Sequence, residues 1–160
     1  MSYFHADRIV IGGQVLVGGW LRSDDGWIGE IGSGKVPSNS HYLGELLLPG
    51  FVDIHCHGGA GHSFTDGAAA AQEVAEFHLH HGTTSMLAST VSTAIPELID
   101  QIHELAAHIT GCQNQPIKGI HLEGPFLSSE YRGAHKESLL REPEPSLVAQ
   151  LLAAGPISMV

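Results

Sequence analysis

The rhythm of hydrophobic and polar positions changes once along this chain, close to Pro49. Before that point, short β-prone runs at 8–11, 14–17, 26–31 and 42–48 alternate with glycine turns, and residues 32–40 form a turn-rich connector. This pattern predicts a small β-rich, sandwich-like segment over residues 1–48. Beyond it, apolar strand-like runs at 51–57, Thr83–Thr90, 117–123 and 157–160 alternate with stretches of helical period. Their starts lie 32 to 40 residues apart, the size of a βαβ unit.

The helix between the second and third of these runs is the clearest. Ile95, Leu98, Ile99, Ile102, Leu105, Ala106 and Ile109 form one apolar stripe, ended by Gly111. Ser92 or Thr93 is expected to cap its start, and Pro96 falls within the first turn, where a missing N–H does no harm. An earlier helix over 69–81 carries Ala70, Val74 and Phe77 on one face. A later one, from about Pro145, presents Leu147, Val148, Leu151 and Leu152 before the stop signal Gly155-Pro156.

The alternation predicts the α/β class, with residues 49–160 forming the N-terminal part of a TIM-type (β/α)8 barrel. Of the eight units that close such a barrel, the chain supplies three and the first residues of a fourth strand. An incomplete barrel leaves strand edges open and an apolar face uncovered. The chain by itself is therefore expected to be unstable or prone to aggregate.

Composition narrows the choice of partners. With 42% hydrophobic and 15% charged residues the chain is globular in character. A net charge of -10 with only seven Lys and Arg argues against nucleic acid and against a polybasic membrane surface. No apolar run approaches the length of a membrane span. Cys56 and Cys112 form neither a Cys-x-x-Cys pair nor a disulfide framework, and the N-terminus shows no secretion signal, so a cytoplasmic setting is expected.

Twelve histidines make position, rather than number, the useful guide. His5, His41, His62, His103 and His108 lack a partner at ligand spacing and read as structural. His78, His80 and His81 fall at a helix end, where imidazole suits the negative terminus. His55 and His57 differ: spaced i, i+2 at the end of a strand, they share one face while Cys56 takes the other. Two neutral imidazoles before a glycine-rich βα loop form a metal-binding pair where barrel enzymes keep their catalytic groups. By the same alternation His121 and Glu123 share a face at the end of the third strand. A carboxylate turned into a barrel needs a cation or a proton. An ion pair with Lys118, Arg132 or Lys136 is the competing reading. The long loop 124–135 is expected to fold over the pocket, bringing His135 and the backbone near Ala134 within reach of a polar ligand.

Residues 49–59, Pro-Gly-Phe-Val-Asp-Ile-His-Cys-His-Gly-Gly, resemble the first-strand signature of the amidohydrolase superfamily. The run His121-Leu122-Glu123-Gly124-Pro125-Phe126, with Gly133-Ala134-His135 downstream, is similar to the N-acetylglucosamine-6-phosphate deacetylases, and 82–90 resembles that family's second strand. The resemblance implies that Glu123 ligates a divalent metal (Zn, Fe, Mn or Co) together with two histidines from later strands. It makes His55 and His57 ligands of a possible second ion, so one or two ions per site. Ala134 and His135 are placed at the sugar, with His121 in support. The implied reaction is hydrolysis of N-acetylglucosamine 6-phosphate to glucosamine 6-phosphate and acetate, by water activated at the cation. The family's proton-shuttling aspartate lies on a late strand beyond Val160, so no catalytic acid/base falls within these residues. The resemblance thus describes an N-terminal fragment, active only as the full-length enzyme, a homodimer acting on a small amino-sugar phosphate. Two alternatives stand beside it. One is a cyclic-amide hydrolase of the same superfamily, dihydroorotase-like; the other is a non-catalytic remnant of a deacetylase.

Overall fold

The computed structural model describes residues 1–112 and 115–160, which divide into two compact units, Met1–Pro49 and Gly50–Val160. In the first unit, strands β1 (Ser2–Ile11), β2 (Gln14–Asp24) and β3 (Trp27–Ser33) form an antiparallel meander. Its turns are Gly12-Gly13 and Asp25-Gly26, all four residues at positive φ, as two-residue hairpin loops require. Strands β4 (Ser40–Tyr42) and β5 (Leu46–Leu47) both pair in parallel with β1. All five belong to one sheet, so over these residues the sandwich-like expectation reduces to a single mixed sheet. Ala6 and Ile9 are its buried residues on β1, and a side chain at Gly19 would strike Ile9.

The second unit is built on β6 (Phe51–Cys56), β9 (Thr83–Thr90), β10 (Ile117–Leu122) and β11 (Ile157–Met159). These four strands are parallel, in the order β11-β10-β9-β6. Between β6 and β9 come a small hairpin of β7 (Gly58–Gly59) and β8 (His62–Ser63), a 3-10 turn (Phe64–Asp66) and helix α1 (Ala68–His80). Helix α2 (Ile95–Gly111) joins β9 to β10; a long loop containing the 3-10 turn Glu137–Leu139, then α3 (Pro145–Ala154), join β10 to β11. Each parallel pair is thus bridged by a helix, the repeating step of a (β/α)8 path. The limits of these four strands agree with the sequence pattern to within one residue, whereas in the first unit β1 and β2 run well beyond the expected 8–11 and 14–17.

The core gathers Phe64, Val74, Met86, Leu98, Ile102, Leu105, Ile117, Ile120, Leu122 and Leu151, all nearly inaccessible to solvent. Helix α2 buries its expected stripe through Leu98, Ile102 and Leu105. Two local expectations change. Helix α1 buries Ala70, Ala71, Val74 and Ala75, rotating its inner face so that Phe77 is partly exposed and packs on the rings of His78 and His81. The N-cap of α2 is Ala94, with no side-chain cap. Neither of the expected residues is free to cap the helix, since the Thr93 hydroxyl donates to Glu97, and the Ser92 hydroxyl lies 2.9 Å from Nδ1 of His135.

Candidate metal centre

The pleat of β6 sorts three consecutive side chains. Cys56 is buried in the core, whereas His55 and His57 turn to the opposite, open side. The strand leaves its ladder here: register against β9 shifts between Asp53 and Cys56, and the His55 N–H donates to Asp53 Oδ1 at 3.0 Å. On β10 the same alternation buries Leu122 and turns Glu123, one residue past the strand, toward the histidines. Two sequence segments 68 residues apart therefore deliver their polar groups to one point.

Glu123 Oε2 lies 2.6 Å from His57 Nε2 and 3.0 Å from His55 Nε2, and the two imidazole nitrogens are 3.1 Å apart. Its other oxygen, Oε1, is 3.4 Å from His135 Nε2. Lys118, Arg132 and Lys136 make no ion pair with Glu123 among the described residues. The Lys118 ammonium donates to the Gln115 carbonyl and the Arg132 guanidinium to that of Ser129, so the competing ion-pair reading gives way to a histidine-ringed carboxylate. Burial pushes the Glu123 carboxyl up, but hydrogen bonds from His55 and His135 and the charge and hydrogen bond of His57 outweigh it, holding it below the ordinary glutamate value.

The donor set suits a divalent cation. If both Nε2 atoms carry protons to Oε2, neither has a lone pair for the other, yet they face each other at 3.1 Å. A single positive charge shared by all three atoms removes that conflict. The three atoms lie close enough together for one ion to reach all of them after small side-chain adjustments. His55, His57 and Glu123 are the residues among those described that group in this way.

His121 stands behind the triangle. Its ring meets that of His55 edge-on at 4.8 Å, and its Nδ1 lies 2.9 Å from Ser89 Oγ. Ser89 Oγ also accepts the Cys56 N–H at 3.1 Å, which leaves its own proton for His121. One buried hydroxyl on β9 thereby ties β6 to β10 beside the donors. Burial, then the charge of His55, push the His121 pKa down. With the Ser89 proton turned to Nδ1, a neutral His121 ring carries its own proton on Nε2. Ala134 and His135 both line a cleft of about 560 Å³ with Ser92, Glu97, Gln101 and Lys136. His135 also reaches Glu123, so it joins the cleft to the carboxylate.

Other histidines find structural partners. His62 pairs with Glu73 at 3.0 Å, and His81 lies 2.8 Å from the Phe77 carbonyl oxygen. His78 does more than end a helix. Its Nε2 is 3.1 Å from the Gly58 carbonyl and 3.4 Å from Cys56 Sγ, bracing the loop that follows His57. The Cys56 thiol donates to the same carbonyl, and burial pushes its pKa up. Sequence patterns do not reveal Ser89, Ser92 or this bracing role of His78, because their partners lie 20 to 43 residues away. A hydroxyl near a strand end carries no spacing signal of its own.

A family model described as "Amidohydrolase family" matches residues 46–151, and the chain belongs to that family. It is 37% identical over 123 residues to N-acetylglucosamine-6-phosphate deacetylase of Homo sapiens, covering 73% of this chain and 30% of that protein. It is 30% identical over 164 residues to the enzyme of the same name from Bacillus subtilis (strain 168), covering 95% of this chain and 41% of the relative. The crystal structure of N-acetyl-D-glucosamine-6-phosphate deacetylase from Mycobacterium smegmatis superposes with a TM-score of 0.89 at 34% identity, covering 100% of this chain and 46% of that one. A mutant of that enzyme, in complex with N-acetyl-D-glucosamine-6-phosphate, also matches at a TM-score of 0.89. The chain thus spans less than half the length of these relatives. The likeness bears out an incomplete TIM-type barrel preceded by a small β-rich region.

Proposed function

We propose that this chain forms the N-terminal part of a metal-dependent deacetylase that releases acetate from N-acetylglucosamine 6-phosphate. In this reading residues 1–48 are a companion domain and 49–160 the first part of the barrel. The convergence of Glu123 with His55 and His57 is the observation that carries it, because it gathers two imidazole nitrogens and a carboxylate oxygen, the donor types a divalent cation takes, at one point on the open side of the sheet. The named relatives and the sugar-phosphate complex support the substrate class. A divalent cation held by Glu123, with His55 and His57 alongside, supplies Lewis acidity toward the amide carbonyl and a water.

The chain's own residues have three roles. Glu123 keeps its negative charge, aided by the imidazoles around it. His55 and His57 present Nε2 atoms on the open side of β6. Ala134 and His135 hold the sugar from the 560 Å³ cleft, while His121 supports His55 by its edge-on ring contact. The remaining ligands and the acid/base belong to the greater length that the relatives have. The full-length protein is read as a cytoplasmic homodimer, for which the free thiols of Cys56 and Cys112 are consistent with a reducing compartment.

Acetate release by the full-length enzyme, with and without a chelator, tests the proposal. Activity lost on chelation, restored by Zn2+ or Co2+, and abolished by Glu123→Ala is the expected result. Chelator-insensitive hydrolysis, or full activity in Glu123→Ala, would overturn it.

A further inference from the structure

We infer that Ser92 is a positioning residue for the candidate metal centre: it sets the proton arrangement of His135, and through it the orientation of the Glu123 carboxylate. The inference rests on Glu123 being a metal ligand. Two groups of Ser92 converge on one ring atom, the hydroxyl at 2.9 Å from His135 Nδ1 and the backbone N–H at 3.4 Å. The N–H can only donate, so Nδ1 accepts, and the hydroxyl is then free to turn its own proton to the same atom. In the neutral ring the proton is therefore on Nε2, which lies 3.4 Å from Glu123 Oε1 and can only donate to it. That contact gives the two carboxylate oxygens different partners, with Oε1 held by His135 and Oε2 facing His55 and His57.

The backbone reinforces the same arrangement. Gly124, directly after the carboxylate, adopts φ +86, and a Cβ there would overlap the Ser92 hydroxyl oxygen. Ser92 Oγ thus occupies the space beside the glycine while it bonds His135. Ser92 is buried, and the His135 side chain is only 10% exposed, so solvent does not readily replace the hydroxyl. The chain Ser92 to His135 to Glu123 has the form of support by which groups behind a ligand fix its orientation and basicity. Nothing in the spacing of Ser92 from Glu123 along the sequence announces it.

The experiment is a Zn2+ titration of the full-length apoenzyme, with the Co2+ electronic spectrum as a second readout and thermal unfolding run alongside. Ser92→Ala is expected to weaken Zn2+ binding by about 10- to 100-fold and to shift the Co2+ bands, while Ser92→Thr, which keeps the hydroxyl, restores both. Should Ser92→Ala fail to fold, Ser92→Cys replaces it. Its weaker donor should lower affinity relative to Ser92→Thr, and equal affinities would overturn the inference. Glu123→Ala separates the two levels. If it loses Zn2+ while Ser92→Ala binds like wild type, the Ser92 inference falls and the metal reading stands. If Glu123→Ala binds Zn2+ undiminished, both fall.

Discussion

β6 and β10 end in related polar pairs, His55 with His57 and His121 with Glu123, but they stand in different surroundings. β6 is the edge strand of the parallel sheet, and its Val52 and Ile54 are 70% and 55% exposed. β10 lies between β9 and β11, and every residue in it except Lys118 is buried. Local alternation alone puts the donors on one face of each strand. Burial is contributed by neighbours, and only β10 has them on both sides. Within these residues, the same chemical pattern is therefore held at one end by a strand with a single neighbour and at the other by a strand with two. Substitutions in β10 should damage fold and site together, whereas those in β6 should act on the site while sparing the fold.

The sharpest way to break that comparison is to truncate one apolar residue in each strand. Leu122→Ala should cost about 2–5 kcal/mol, since it removes a fully buried side chain from the core. Ile54→Ala should cost less than about 1 kcal/mol, in line with its exposure. Urea unfolding measures both, and equal losses would show that β6 is as tightly held as β10. A smaller effect is expected at Ser89, whose hydroxyl links the two strands. Ser89→Ala leaves the Cys56 N–H and the His121 Nδ1 without a buried partner and should destabilise by about 1–3 kcal/mol. An unchanged midpoint would mean that the strands are held in register without this bridge.

The mildest test uses pH. His121 has a folded pKa below its ordinary 6.5, so the unfolded chain binds its proton more readily and stability is complete only above that value. As pH falls through 6.5 toward the folded pKa, the melting temperature of the metal-free protein should decline. Glu123 is also depressed, below 4.5, so its contribution is lost only at lower pH, as pH falls through its folded value. In His121→Gln the first decline should disappear and the second persist. A first decline unchanged in this variant would place the responsible group elsewhere.

Much of this architecture can be read from the sequence because its causes are local. Period-two alternation predicts that His55, His57 and Glu123 share inner faces, and the stripe from Leu98 to Leu105 predicts which side of α2 is buried. What the sequence conceals is long-range and geometric. Ser92 looks like a helix cap by position, yet its hydroxyl is committed to a histidine 43 residues away. Phe77 fits a helical stripe but is displaced by the rotation of α1 onto its alanines. His135 is legible as part of a loop over the pocket, but its reach to Glu123 depends on how that loop folds back. Hydrogen bonds between distant strands leave no periodic trace, because a serine at a strand end is common whether or not anything waits across from it.

The position of Cys56 bears on metal choice and oxidation. A thiol lies between two candidate ligands in sequence, and a one-residue slip of β6 would exchange it for them. The pleat instead sends its sulfur into the core, leaving the open side with nitrogen and oxygen donors. Such a set favours borderline and hard divalent ions over copper(I), which a thiolate would attract. An oxidant entering the site likewise meets imidazole and carboxylate, while the Cys56 thiol, its pKa raised by burial, lies in the core behind the strand.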